Sequence, residues 1–422
     1  MKKRYLLLIP VAACIIVCAA AIGYIQFHPE RAPEGAAFLA RAVQERQSAG
    51  SGEEDTEEVQ EKKEKPEEQT AAQKRAQELV NSMTLEQKLY QMMFVTPEVL
   101  TDSHNYVVRA GDSTKASITA TPVGGILYTS RNLQGKDQTS VMLDNTQQYA
   151  RAAGAGIPVF TGIAEEGGSH APAASVLGTA AVEDMSVYGQ SNNAEEVRDI
   201  GKTLAAAVSG VGFNLNFAPV ADVVSNEANT GLKTRSFGSD AAVVSSLVSS
   251  EISGMQENGV MSAMSHFPGA GSTDSDTADG AVSTARSQKE FRSSDLLPFA
   301  EGIKANAACI VVSNMTAIAF DSVPCSLSSK VITGLLREEM GYDGIVMTGQ
   351  LSDGAITGSY TAGQAAVQAV QAGADMLLCP QSIEETYTAL SEAVASGSIT
   401  EDQINDSVAR ILTAKLEYGL MQ

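Results

Sequence analysis

The sequence is short of basic residues, with 29 Lys and Arg against 50 Asp and Glu and a formal net charge of −21. Residues 1–77 are nearly balanced, 12 acidic against 11 basic, so the remainder carries a net of −20. Binding a phosphate backbone needs clustered Lys and Arg, so nucleic acid and other polyanions are excluded as partners. Histidine is scarce: His28, His104, His170 and His266 are scattered, which argues against a His-based metal site. Of the five cysteines, Cys14 and Cys18 lie in an apolar N-terminal run. Cys309, Cys325 and Cys379 are far apart and odd in number, with no C-x-x-C spacing. These three read as small apolar core residues. No G-x-G-x-x-G leads from a strand into a helix, so a dinucleotide site is unsupported. No metal and no cofactor is implied. What is abundant is apolar residues, 44% of 422, enough for a sizeable core and against wholesale disorder.

The N-terminus reads as an address. Lys2, Lys3 and Arg4 precede a mostly apolar run, Tyr5 to Ile25. As a helix this run is roughly 31 Å long, about one hydrocarbon thickness. Positive charge before it keeps the N-terminus inside and sends the rest outward. The expectation for residues 1–28 is an uncleaved membrane anchor. A cleaved signal peptide is one alternative; another is a lipoprotein signal, since Val11-Ala12-Ala13-Cys14 resembles a lipobox. All three place the remaining chain outside the cytoplasm. Residues 29–71 read as an acidic low-complexity linker. Nine acidic and three basic residues fall in 53–68, a composition that buries too little apolar area to offset ordering entropy.

From residue 72 to 422 short apolar runs alternate with helical patterns. Strands are expected at Gly125–Thr129, Pro158–Ile163, Phe213–Val224, Val260–His266, Cys309–Ser313, Gly344–Thr348 and Asp375–Cys379. Helices are expected between them, as at Thr139–Ala153, Ala194–Ser209, Ala241–Gly259, Ser294–Asn306, Ser329–Met340, Thr361–Ala372 and Ile383–Ala395. Thr84 with Gln87 has capping-box form and opens an apolar run Leu89, Met92, Met93; Thr400 with Gln403 opens a last helix to about Tyr418. Continuous apolar strands alternating with helices mean parallel pairing with helices outside. The repeat number fits α/β architecture as a single (β/α)8 TIM-type barrel, whose chemistry belongs in the loops after the strands.

Those loops carry recognisable segments. They include Ala164-Glu165-Glu166-Gly167-Gly168, Asn214-Leu215-Asn216-Phe217-Ala218-Pro219-Val220-Ala221-Asp222-Val223 and Thr234-Arg235-Ser236-Phe237-Gly238. Ser265-His266-Phe267-Pro268-Gly269 and Thr348-Gly349-Gln350-Leu351 follow later strands. As a set, in this order, they resemble the N-terminal barrel of glycoside hydrolase family 3, in particular its bacterial β-N-acetylhexosaminidase branch. The resemblance runs from about Met83 to Tyr418. It implies a (β/α)8 barrel and removal of terminal β-linked N-acetylglucosamine, often from peptidoglycan fragments.

The same resemblance exposes departures. The family mechanism uses a carboxylate nucleophile and an acid/base that protonates the leaving oxygen. The nucleophile is the Asp after Thr in a T-D-x-L segment, and that position is Gly349 here. The acid/base is a His two residues after an Asp on a mobile loop; the Asp is kept as Asp276, and the His is Ala278. Ser265 stands for a Lys, Ala270 and Ser272 for a His and an Asp, and Ala164 for a sugar-holding Asp. Arg235, His266 and Glu166 are retained as candidate substrate-binding residues. The expected function is a membrane-anchored, extracytoplasmic pseudoglycosidase with no catalytic residues. It binds a cell-wall amino sugar or peptidoglycan fragment, or an envelope protein.

Two other readings stay open. One is an active β-N-acetylhexosaminidase with relocated carboxylates, Asp353 or Glu166 as nucleophile, though about 1 Å of misplacement already costs roughly 100-fold. The other is a pure scaffold with a filled cleft. Residue by residue, Arg235 holds a sugar or pins loops by pairing with Asp222. His266 touches ligand or is a satisfied structural His. Glu165 and Glu166, as sequence neighbours, point apart. Asp274, Asp276 and Asp279 form a solvated acidic loop.

Overall fold

In the computed structural model the described residues are 69–422; the expected anchor and nearly all of the linker lie outside them. The first described helix is Ala71–Ser82. Thr70 caps it by accepting from the Gln73 amide, while the Gln73 side chain accepts from the Thr70 amide. The capping boxes at Thr84/Gln87 and Thr400/Gln403 form as expected, opening helices Leu85–Gln91 and Glu401–Glu417. Among the described residues no helix is long and apolar enough to cross a membrane.

Eight parallel strands make the sheet: β1 Met93–Val95, β2 Gly125–Leu127, β3 Phe160–Ile163, β4 Leu215–Asn216, β5 Met261–Phe267, β6 Cys309–Val312, β7 Ile345–Thr348 and β8 Leu377–Leu378. Each pairs with its successor from β1 to β7, and β8 pairs with β1. A parallel bridge between Met347 and Met376 brings β7 to β8 and closes the ring. The strands are almost wholly buried because helices cover their outer faces and side chains fill the interior. Phe94, Phe160 and Phe217 form part of that filling, with Phe94 edge-on to Phe217 at 5.4 Å between centroids. Cys309, Cys325 and Cys379 are buried with free thiols, as core residues should be.

The lower end of the barrel is a structural plug. Lys415, fully buried on the last helix, donates to the Gln91 side chain (2.8 Å) and the Gly124 carbonyl (3.0 Å), and lies over the Phe160 ring. Burial drives its ammonium well below the usual lysine range. Asp375, also fully buried, accepts from the Val346 amide and pairs with Arg337 and Arg410.

Two expectations fail, each for a local reason. The run Leu89, Met92, Met93 does not continue one helix: the helix ends at Gln91, and Met93-Phe94-Val95, buried on both faces, becomes β1. The expected long strand Phe213–Val224 shrinks to Leu215–Asn216. Pro219 offers no amide to a ladder, and beyond it a single bridge, Val220 with Ser265, is all that remains of strand pairing. Beyond that early end residues 217–223 run on as a buried loop that carries Asp222.

Candidate functional site

The loops after β3, β4, β5, β6 and β7 converge at one end of the barrel. Asn216, the last residue of β4, fixes the first of them. Its side chain accepts from the Glu165 amide (2.8 Å) and donates to the Glu165 carbonyl (2.9 Å). The two adjacent glutamates then part company, as expected. Glu165 turns inward and accepts from the amides of Ala173 (2.6 Å) and Ala174 (3.0 Å). Burial raises its pKa against these two amides. Glu166 turns toward the mouth and meets Arg235 in a two-pronged pair, Nε to Oε2 at 2.6 Å and Nη2 to Oε1 at 2.7 Å. Burial works against the guanidinium charge, but Glu166 outweighs it and holds the Arg235 pKa above its ordinary value.

Asp222 is the second anchor. It is fully buried, and its Oδ1 accepts from the Ala270 amide at 2.6 Å. Its Oδ2 lies 2.7 Å from Nδ1 of His266, at the end of β5. An acceptor there puts the ring proton on Nδ1, leaving Nε2 as the unpaired ring nitrogen. The expected alternative partner for Arg235 was Asp222. The structure corrects this: Arg235 is held by Glu166, and Asp222 is used by His266.

A cavity of about 520 Å³ opens above these groups. Arg235 and His266 line it, together with Thr273, Asp276, Thr277 and Ser313. Glu166 lies just beneath, reached through Arg235. The cavity is not filled by side chains at this level. Its wall is the loop 270–280, packed closely against 223–229: a side chain on Gly271 would collide with the Val223 carbonyl, 1.9 Å from where its Cβ would sit. Asp276 faces this cavity and accepts from the Ala278 amide (2.9 Å), closing a turn within its own loop.

Gly349 and Ala278 are not among the cavity-lining residues. Beside Gly349 stands Asn314, just beyond the end of β6 and 2% exposed. Its amide nitrogen donates to the Gln350 carbonyl (2.7 Å) and to Asp353 Oδ2 (3.0 Å), and its oxygen accepts from the Ser326 hydroxyl (2.6 Å). Asp353 Oδ2 also accepts from the Thr277 hydroxyl at 3.0 Å. Burial raises the Asp353 pKa against these two donors. The carbonyls of Thr277 and Ala278 accept from the amides of Ala355 and Gly354, both at 3.0 Å. The loop that carries Ala278 is thus fastened to the loop after β7.

Three features escaped sequence reasoning. Asn314 had a usable signal, since it directly follows an apolar strand, where barrel chemistry is placed. Asp222 was visible, but its partner was not. Glu251, mid-helix in Ala241–Gln256, is fully buried with neither carboxyl oxygen hydrogen-bonded. Burial first, and the nearby Glu166 charge second, push its pKa to about 8. Among the described residues no group of three or more His, Cys, Asp or Glu is placed to hold a metal ion.

The barrel has relatives among known proteins. Residues 84–414 match the glycosyl hydrolase family 3 N-terminal domain. The chain is 29% identical over 325 residues to beta-hexosaminidase A of Pseudoalteromonas piscicida, covering 71% of this chain and 54% of that protein. It is 28% identical to the beta-hexosaminidase LpqI of Mycobacterium tuberculosis, covering 73% and 79%. A family 3 beta-N-acetylglucosaminidase from Paenibacillus superposes with a TM-score of 0.75 at 32% identity, covering 80% of this chain and 63% of that one. The chain therefore spans about half the length of the first of these relatives.

Proposed function

The chain belongs to glycoside hydrolase family 3, in its β-N-acetylhexosaminidase branch, and from that premise we propose that it binds an amino sugar without cleaving it. One observation carries the reading. Where the family resemblance puts the nucleophile, the chain has Gly349, and the group beside it is the carboxamide of Asn314, already hydrogen-bonded at every polar atom. An amide offers neither a nucleophile for the anomeric carbon nor a charge for an oxocarbenium-like transition state.

Ala278 supports it from the leaving-group side. A methyl group moves no proton, and general acid catalysis alone commonly contributes about 10²–10⁴-fold. The relocated-nucleophile alternative finds little help. Both oxygens of Glu166 are engaged by Arg235, and Asp353 Oδ2 is engaged by Asn314 and Thr277.

Arg235, oriented by Glu166, and His266, oriented by Asp222, are the groups that would hold sugar hydroxyls or an acetamide. The open cavity beside them favours a binding protein over a filled scaffold. Residues 5–25 would anchor the chain in the membrane with the barrel outside, where a peptidoglycan fragment or an envelope protein is within reach. The test is calorimetric titration of the full chain, in detergent, with N-acetylglucosaminyl muropeptides. Saturable heat that Arg235→Ala abolishes is expected; no heat with either protein defeats the sugar-binding half of the reading.

A further inference from the structure

A Cβ placed on Gly349 would lie 2.7 Å from Cγ and Oδ1 of Asn314 and 2.8 Å from its Nδ2. Such contacts are closer than packed atoms tolerate. The backbone does not call for glycine here, because Gly349 is absent from the positive-φ residues. The three atoms nearest to that Cβ all belong to Asn314, which makes Asn314 the first obstacle to a side chain at 349. Nor can Asn314 swing aside freely: it is buried, and rotation would break its bonds to Gln350, Asp353 and Ser326 together.

We propose that Asn314 is a plug, a second barrier to hydrolysis independent of the missing carboxylate. It fills the room that a nucleophile on residue 349 would need, so that position cannot regain a side chain while Asn314 stands. The assignment rests on the reading that hydrolysis has been lost.

A double-mutant cycle on the full chain tests it by melting temperature. Gly349→Ala should lower the melting temperature of the parent by on the order of 3 °C, the usual scale for an overpacked core site. In an Asn314→Ala background the same change should cost nothing, or raise it slightly, since alanine restricts the unfolded chain more than glycine. Gly349→Asp should follow the same pattern with a larger loss in the parent. Failure of Gly349→Ala to fold in the parent alone, with folding in the double variant, is the extreme form of the expected result. Should Asn314→Ala itself not fold, Asn314→Ser, which puts a small hydroxyl in place of the carboxamide, provides the same comparison. Equal losses in both backgrounds, or no loss in the parent, overturn the proposal. Turnover of an aryl N-acetylglucosaminide by the parent, measured separately, would refute the loss of hydrolysis while leaving this packing result to stand or fall alone.

Discussion

The guanidinium of Arg235 and the carboxylate of Glu166 meet in two parallel hydrogen bonds, 2.6 and 2.7 Å long, at the edge of the cavity. The Glu166 side chain is only 7% exposed and the Arg235 side chain 20%. Arg235→Ala would leave Glu166 buried without a partner. A stability loss of about 2–4 kcal/mol is expected, the buried-pair figure reduced for the partial exposure of the guanidinium. Arg235→Lys should recover only part of it, because an ammonium cannot reproduce the fork. Urea unfolding checks both; unchanged midpoints would show that the pair contributes nothing.

His266 and Asp222 make a different prediction. Asp222→Asn keeps the shape, and its remaining oxygen still accepts from the Ala270 amide. It also turns an N–H toward Nδ1, which moves the imidazole proton to Nε2. Nitrogen chemical shifts of His266 should report that exchange of tautomers. Sugar affinity should fall by roughly 10-fold, the value of one hydrogen bond. Protonation at Nδ1 in both proteins would contradict the geometry.

Glu251 sets a pH dependence. Its pKa in the folded protein, about 8, lies above the ordinary 4.5, so the folded state holds a proton that the unfolded state releases. The stability tied to that proton is complete below about pH 4.5 and is lost as pH rises toward 8. Glu251→Gln removes the titration but keeps the shape. The variant and the parent should melt together near pH 4.5, and the variant should be the more stable by a few kcal/mol at pH 9. Parallel curves across this range would count against a buried neutral acid.

The loop carrying Ala278 is expected to be held down through Asp353. Asp353→Ala removes the acceptor for Thr277 and Asn314. Amide exchange at Gly354 and Ala355, which donate to that loop, should quicken, with the rest of the barrel unaffected. Unchanged protection would mean that the backbone bonds suffice.

Much of this was legible in the residues. Buried strands such as Cys309–Val312 and Ile345–Thr348 are continuous apolar runs, and capping boxes at Thr84 and Thr400 mark helix starts in plain view. β1 and β4 were harder. Met93–Val95 continues an apolar helix-like run, and Leu215–Asn216 is cut short by Pro219, so neither has a period of its own. At the site, the family resemblance already singles out Gly349 and Ala278 in the sequence. It does not show what surrounds them. That Asn314 occupies the space beside Gly349, that Asp222 serves His266 and that Glu251 is buried unpaired are facts of packing between distant segments, and local pattern carries no record of them.

Turnover of 4-nitrophenyl N-acetyl-β-glucosaminide by the full chain, measured against a heat-denatured control, decides whether the barrel has lost hydrolysis. Nitrophenol release no faster than the control is expected, under conditions where muropeptide binding saturates. Release above the control that disappears in Glu166→Ala or Asp353→Ala would contradict that loss.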